Sequence, residues 1–146
     1  MARSPAVIHP PRWYRALWKN STATVIVVDD DASIRRALRT QLQILGFSEL
    51  DFQSAEGFLT GEIPTGNACL LLDIYLPGMS GIELCRSLDA SGPHLPTVLM
   101  SARDDQQTKQ MMREVHPIAC LFKPFDERSL LRAIRKALRK RPNLAD

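Results

Sequence analysis

Apolar residues in this chain come in short unbroken runs, each ending on a polar group. "VIVV" at 25–28 runs into Asp29, Asp30 and Asp31. "ACLLLD" at 68–73 ends on an acid, "TVLMS" at 97–101 on a hydroxyl, and "IACLF" at 118–122 is followed by Lys123. Continuous runs of this length predict strands buried on both faces. "LDF" at 50–52 is a shorter candidate strand.

Between the runs the period lengthens. Ile34, Ala37, Leu38, Leu42 and Leu45 fall on one helical face, with Gly46 as a stop. "SAEGFL" from Ser54 predicts a capped helix, and 61–67, "GEIPTGN", a loop. "PGMSG" at 77–81 is a turn, with a helix starting over Ile82–Leu88. Residues 104–115 predict a polar, weakly amphipathic helix. Residues 126–140 predict a basic one with Leu130, Leu131, Ile134 and Leu138 inward.

Strand and helix therefore alternate five times, which implies an α/β fold with a parallel sheet covered on both faces. In such open sheets ligands sit beyond the carboxyl ends of the strands. The residues at those ends are Asp29, Asp30, Asp31, Asp73, Ser101 and Lys123.

Composition adds limits. The 146 residues suit one domain. No apolar run approaches the ~20 residues of a membrane span, and the N-terminus lacks a secretory core, so a cytoplasmic location is expected. Cys69, Cys85 and Cys120 lack metal-ligand spacing and read as reduced core thiols. Net charge is +3, but it sits at the ends. Residues 1–22 hold four basic residues and no acid. Residues 132–146 hold six basic residues and one acid. The stretch between has nine basic against fifteen acidic residues. That argues against a nucleic-acid-binding face on the folded part. Residues 1–22 read as a flexible leader, with an interfacial anchor or a partner-binding segment as alternatives. Residues 142–146 read as a tail.

Several carboxylates, a hydroxyl and a lysine on one edge suggest magnesium and phosphate. Magnesium favours hard oxygen ligands, often one or two carboxylates with phosphate and water. A carboxylate can also attack phosphorus and form an acyl phosphate.

"VVDDD", "LLDIYLPGMSG", "LMSA" and "LFKPF", in this order, resemble the CheY-like receiver domain of two-component response regulators. The match covers about residues 24–140, and we expect a receiver domain over 23–141. The resemblance implies a flavodoxin-like three-layer (βα)5 fold with strand order 2-1-3-4-5. It implies Asp73 as phosphoacceptor and a Mg2+ site made by Asp29, Asp30, Asp73 and the backbone carbonyl of Tyr75. Ser101 and Lys123 would bind the phosphoryl group, with a cis bond from Lys123 to Pro124. Tyr75 and Arg103 would flank it and tune its lifetime. Asp31 falls outside the metal pair and would cap the following helix. The family usually has an aromatic switch residue three before the lysine. Here that position is Cys120, and a thiol cannot sweep out the same volume.

The function implied is a phosphorylation-controlled signalling module, not an enzyme in its own right. A histidine kinase or histidine phosphotransfer protein would supply the phosphoryl group. Output would pass to a protein partner or a second copy of the chain. The local style resembles receivers fused to LuxR-type helix-turn-helix domains. The chain stops soon after the last helix, so a single-domain regulator without direct nucleic-acid binding is expected. Two alternatives stay open. "VVDDDAS" also fits the opening of haloacid-dehalogenase-type phosphatases, with Asp29 as nucleophile and Asp31 as acid/base. A receiver fold used as a phosphorylation-independent binding module is the other.

Overall fold

A computed structural model of the chain describes residues 23–64 and 66–139. The leader and tail read from the sequence lie outside the described residues. Five strands and five helices alternate: β1 Thr24–Val28, α1 Ala32–Ile44, β2 Ser48–Phe52, α2 Ala55–Thr60, β3 Ala68–Asp73, α3 Gly81–Ser91, β4 Thr97–Ser101, α4 Gln106–Glu114, β5 Ala119–Phe122 and α5 Glu127–Arg139. The strands form one parallel sheet in the order β2-β1-β3-β4-β5. This is the expected flavodoxin-like architecture.

Side chains alternate across each strand, so the sheet feeds two cores. Val25, Val27, Cys69, Leu71, Val98 and Met100 pack with Leu38 and Leu42 of α1 and Leu130, Ile134 and Leu138 of α5. Ile26, Val28, Leu70, Leu72 and Leu99 pack on the other face with Phe58 of α2, Leu84 of α3 and Met112 of α4. Fully burying one such aliphatic side chain contributes roughly 1.5–3 kcal/mol. Nearly every residue of β1, β3 and β4 is buried, which is why these strands read as unbroken apolar runs.

Two predicted caps, Asp31 and Ser54, are found, and two more helices have caps that the sequence did not announce. Asp31, Ser54, Ser80 and Asp105 each cap a helix through the side chain. Gly46, at φ 92°, follows the end of α1 in the left-handed region that glycine adopts without cost. Among the described residues no helix is long and apolar enough to cross a membrane.

Several expectations need correction. Strand β2 begins at Ser48, two residues before the predicted "LDF". As an edge strand it is only partly buried, and Glu49 and Asp51 break its apolar pattern. Helix α4 is shorter than predicted because Asp105 is its cap. Ala37 is exposed and Leu131 only partly buried. Cys69 and Cys85 are buried thiols, but Cys120 is exposed. It lies on β5, the edge strand of the sheet among the described residues.

Candidate functional site

The carboxyl ends of β1, β3, β4 and β5 bring the predicted polar residues together. Asp73 and Ser101 are the last residues of their strands, and Asp29 and Lys123 come directly after theirs. The backbone fixes each one. The Asp29 N–H donates to the Phe52 carbonyl at 3.2 Å, and the Lys123 N–H to the Ser101 carbonyl at 2.7 Å. The Lys123–Pro124 peptide bond is cis, as expected. Gly81 abuts the backbone of Asp73, where a Cβ would collide with the Asp73 carbonyl. The glycine of "PGMSG" thus lets α3 start directly against the acid.

Lys123 ties the site together. Its Nζ donates to Asp29 Oδ2 and to Asp73 Oδ2, both at 2.5 Å. Asp29 is fully buried, Asp73 is 7% exposed and the Lys123 side chain 13%. Buried charges persist only when paired, and here one ammonium serves two carboxylates. Each acid also accepts a backbone N–H. Asp31 donates to Asp29 Oδ1 at 2.9 Å, and Tyr75 to Asp73 Oδ1 at 2.8 Å. Burial raises the Asp73 pKa above the ordinary carboxylate value, although Lys123 and the Tyr75 amide pull it down. Burial opposes the Lys123 charge, but bonds to Asp29 and Asp73 outweigh it and hold its pKa above the ordinary value.

Asp29, Asp30 and Asp73 offer carboxylate oxygens that all lie within 4.8 Å of one another. Asp30 is exposed, so the cluster opens to solvent on one side. Three hard oxygen donors with room for water fit a magnesium ion. Asp31 is not part of this group. Its Oδ1 accepts from the N–H groups of Ser33 and Ile34 at 2.8 and 3.3 Å. That is the capping role expected, and it is not the acid/base position that the phosphatase alternative needs.

Ser101 is fully buried beside the site, and its Oγ accepts from the Arg103 N–H at 2.9 Å. It does not cap α4. The Arg103 guanidinium lies 5.0 Å over the ring of Tyr75, so the two flanking residues touch each other. The Tyr75 hydroxyl lies 2.6 Å from Thr108 Oγ1. Thr108, fully buried on α4, was missed by sequence reasoning. Its signal was faint: a small hydroxyl residue three positions after the Asp105 cap. Cys120 is on β5 and exposed.

The acid cluster and the lysine lie beyond the carboxyl ends of a parallel doubly wound sheet, where such sheets bind their ligands. The chain belongs to the response regulator receiver domain family, whose model matches residues 25–135. It is 32% identical over 114 residues to the transcriptional regulatory protein FixJ of Azorhizobium caulinodans, covering 78% of this chain and 54% of that one. Among solved structures, response regulator StyR is 40% identical with TM-score 0.74, covering 82% of this chain and 60% of that one. The structure of FixJ-N is 29% identical with TM-score 0.78, covering 85% of this chain and 99% of that one. The chain spans about half the length of the curated relatives it matches.

Proposed function

We propose that this receiver domain takes a phosphoryl group on Asp73 from a histidine kinase or histidine phosphotransfer protein, with Mg2+ at Asp29, Asp30, Asp73 and the Tyr75 carbonyl. The reading rests on one observation: Lys123 spans Asp29 and Asp73, with Asp30 beside them, at the edge where a parallel sheet binds ligands. A carboxylate oxygen of Asp73 attacks phosphorus, the P–N bond of the donor phosphohistidine breaks, and the imidazole leaves with the electron pair. The acyl phosphate keeps its C=O facing the Tyr75 N–H. Lys123 turns its ammonium to a phosphoryl oxygen, and the Ser101 hydroxyl donates its O–H to another while its oxygen still accepts from the Arg103 N–H. A bound Mg2+ would neutralise charge on the phosphoryl oxygens.

The domain is an acceptor and a switch, and its output is contact with a protein, in a cytoplasmic setting that keeps its thiols reduced. The acidic balance of residues 23–131 supports a protein partner over nucleic acid. Labelling with acetyl phosphate tests the chemistry. Asp73→Asn abolishes the Mg2+-dependent adduct. An adduct that survives Asp73→Asn but not Asp29→Asn overturns the reading in favour of a phosphatase-type nucleophile.

A further inference from the structure

Two more carboxyls lie outside the acidic site. Glu49 and Asp51 stand two residues apart on β2, so both side chains leave the same face of the strand. That face meets α1, which presents Arg35 and Arg39 one turn apart. The four groups are unequally matched. Asp51 Oδ2 takes Arg39 Nη2 at 2.7 Å and Nε at 3.1 Å, and its Oδ1 lies 3.6 Å from Arg35 Nε. Glu49 has only Arg39 Nε, 3.4 Å from its Oε2. Its Oε1 is buried and meets no donor, and its side chain is 3% exposed.

An ionised carboxylate with an orphaned buried oxygen is costly. A proton on Glu49 removes that charge and makes the group a donor, with Asp51 as the acceptor beside it. The titration of the pair follows this geometry. Burial, with the hydrogen bond and charge of Asp51, raises Glu49 to about 7. Burial opposes charge on Asp51 as well, but bonds from Glu49 and Arg39 hold it below the usual carboxylate range.

Arg35 links this pair to the acidic site. Its Nη1 donates to the Asp29 carbonyl at 2.7 Å, while Nε of the same guanidinium faces Asp51. That carbonyl belongs to the peptide joining Asp29 to Asp30. One rigid, planar fork therefore reaches from the carboxyl pair to the turn that carries both acids.

We propose that Arg35 is a positioning residue for the Asp29–Asp30 turn, and that the Glu49–Asp51 pair sets its hold through one shared proton, so that Mg2+ binding weakens as the proton leaves. The proposal rests on the reading of Asp29, Asp30 and Asp73 as the Mg2+ site. With the proton present, Asp51 carries the single charge of the pair and both guanidiniums align on it. Without it, Glu49 carries a second buried charge and draws Arg39 from Asp51, and Asp51 in turn draws Arg35 off the Asp29 carbonyl. The groups facing Glu49 are Asp51 on its own strand, Arg39 on α1, and apolar Val25 beside it on β1, while Arg35 faces Asp51.

Calorimetric titration of the full chain with Mg2+ at about pH 6 and about pH 8, either side of the Glu49 titration, tests this. Glu49→Gln keeps a neutral hydrogen-bonding partner for Asp51 at both values. Dissociation constants of wild type and Glu49→Gln should agree at the lower pH, and the wild-type value should exceed the variant's several-fold at the higher. Arg35→Gln should bind more weakly than wild type at the lower pH. Equal affinities of wild type and Glu49→Gln at both values, or wild-type affinity in Arg35→Gln, overturn the proposal alone. A wild type that binds no Mg2+ at either pH overturns the reading of the acid cluster and this proposal with it.

Discussion

At the scale of single residues, the three acids after β1 divide by what each oxygen meets. Asp29 turns inward to Lys123, Asp30 stays at the solvent side, and Asp31 bonds the first amides of α1. The resemblance to receiver domains set Asp31 apart from the other two, and its place before a helical period suited it to a cap. The sequence also placed Asp73, Ser101 and Lys123, since each follows an apolar run. It did not reveal what Tyr75 touches. That residue is half-exposed, with its amide on Asp73, its ring under Arg103 and its hydroxyl on buried Thr108. In the lifetime-tuning role proposed for Tyr75, a ring held by Arg103 and a hydroxyl held by Thr108 would restrict water near Asp73. Tyr75→Ala is therefore expected to lose the phosphoryl group several-fold faster than wild type. Decay of radiolabelled protein, with the donor removed, checks this, and an unchanged decay rate would refute the shielding role.

At the scale of elements, legibility follows burial. β1, β3 and β4 lie inside the sheet, are covered on both faces, and could be read to within a residue. β2 lies at the edge and spends alternate positions on Glu49 and Asp51, so its apolar signal shrank to three residues. The pairing of those acids with Arg35 and Arg39 is a contact between neighbouring elements. No single-element period announces it. It has a consequence for stability. Glu49 binds its proton more tightly folded, at about 7, than at its ordinary value of 4.5. Between those values the native state holds more protons than the unfolded chain, so stability falls as pH rises. The contribution is fully present below about pH 4.5 and lost as pH passes about 7. Its size is on the order of 1–3 kcal/mol. Urea midpoints across this range should drift downward for wild type relative to Glu49→Gln. A wild-type curve parallel to the variant's would show that Glu49 is already ionised in the folded protein.

At the scale of the whole molecule, the site and the exposed edge of the sheet are joined through β4, β5 and α4. Ser101 and Lys123 sit at the ends of β4 and β5, and the Tyr75–Thr108 bond reaches α4. The family's usual signal runs through an aromatic on the fifth strand, and this chain has exposed Cys120 there. Contacts on Asp73 thus have a direct path to α4 by way of Tyr75, and to β5 by way of Lys123. In the proposed mechanism a phosphoryl group would draw on both Ser101 and Lys123, so it should alter the surface formed by α4 and β5 and change what binds there. Beryllofluoride with Mg2+ mimics the phosphoryl group without turnover. Wild-type protein loaded with it should capture a partner, or a second copy of itself, at least several-fold more strongly than the unloaded protein. Asp73→Asn should show no such difference. Labelling of Asp73 without any change in partner or oligomeric state would point instead to the fold as a phosphorylation-independent binding module.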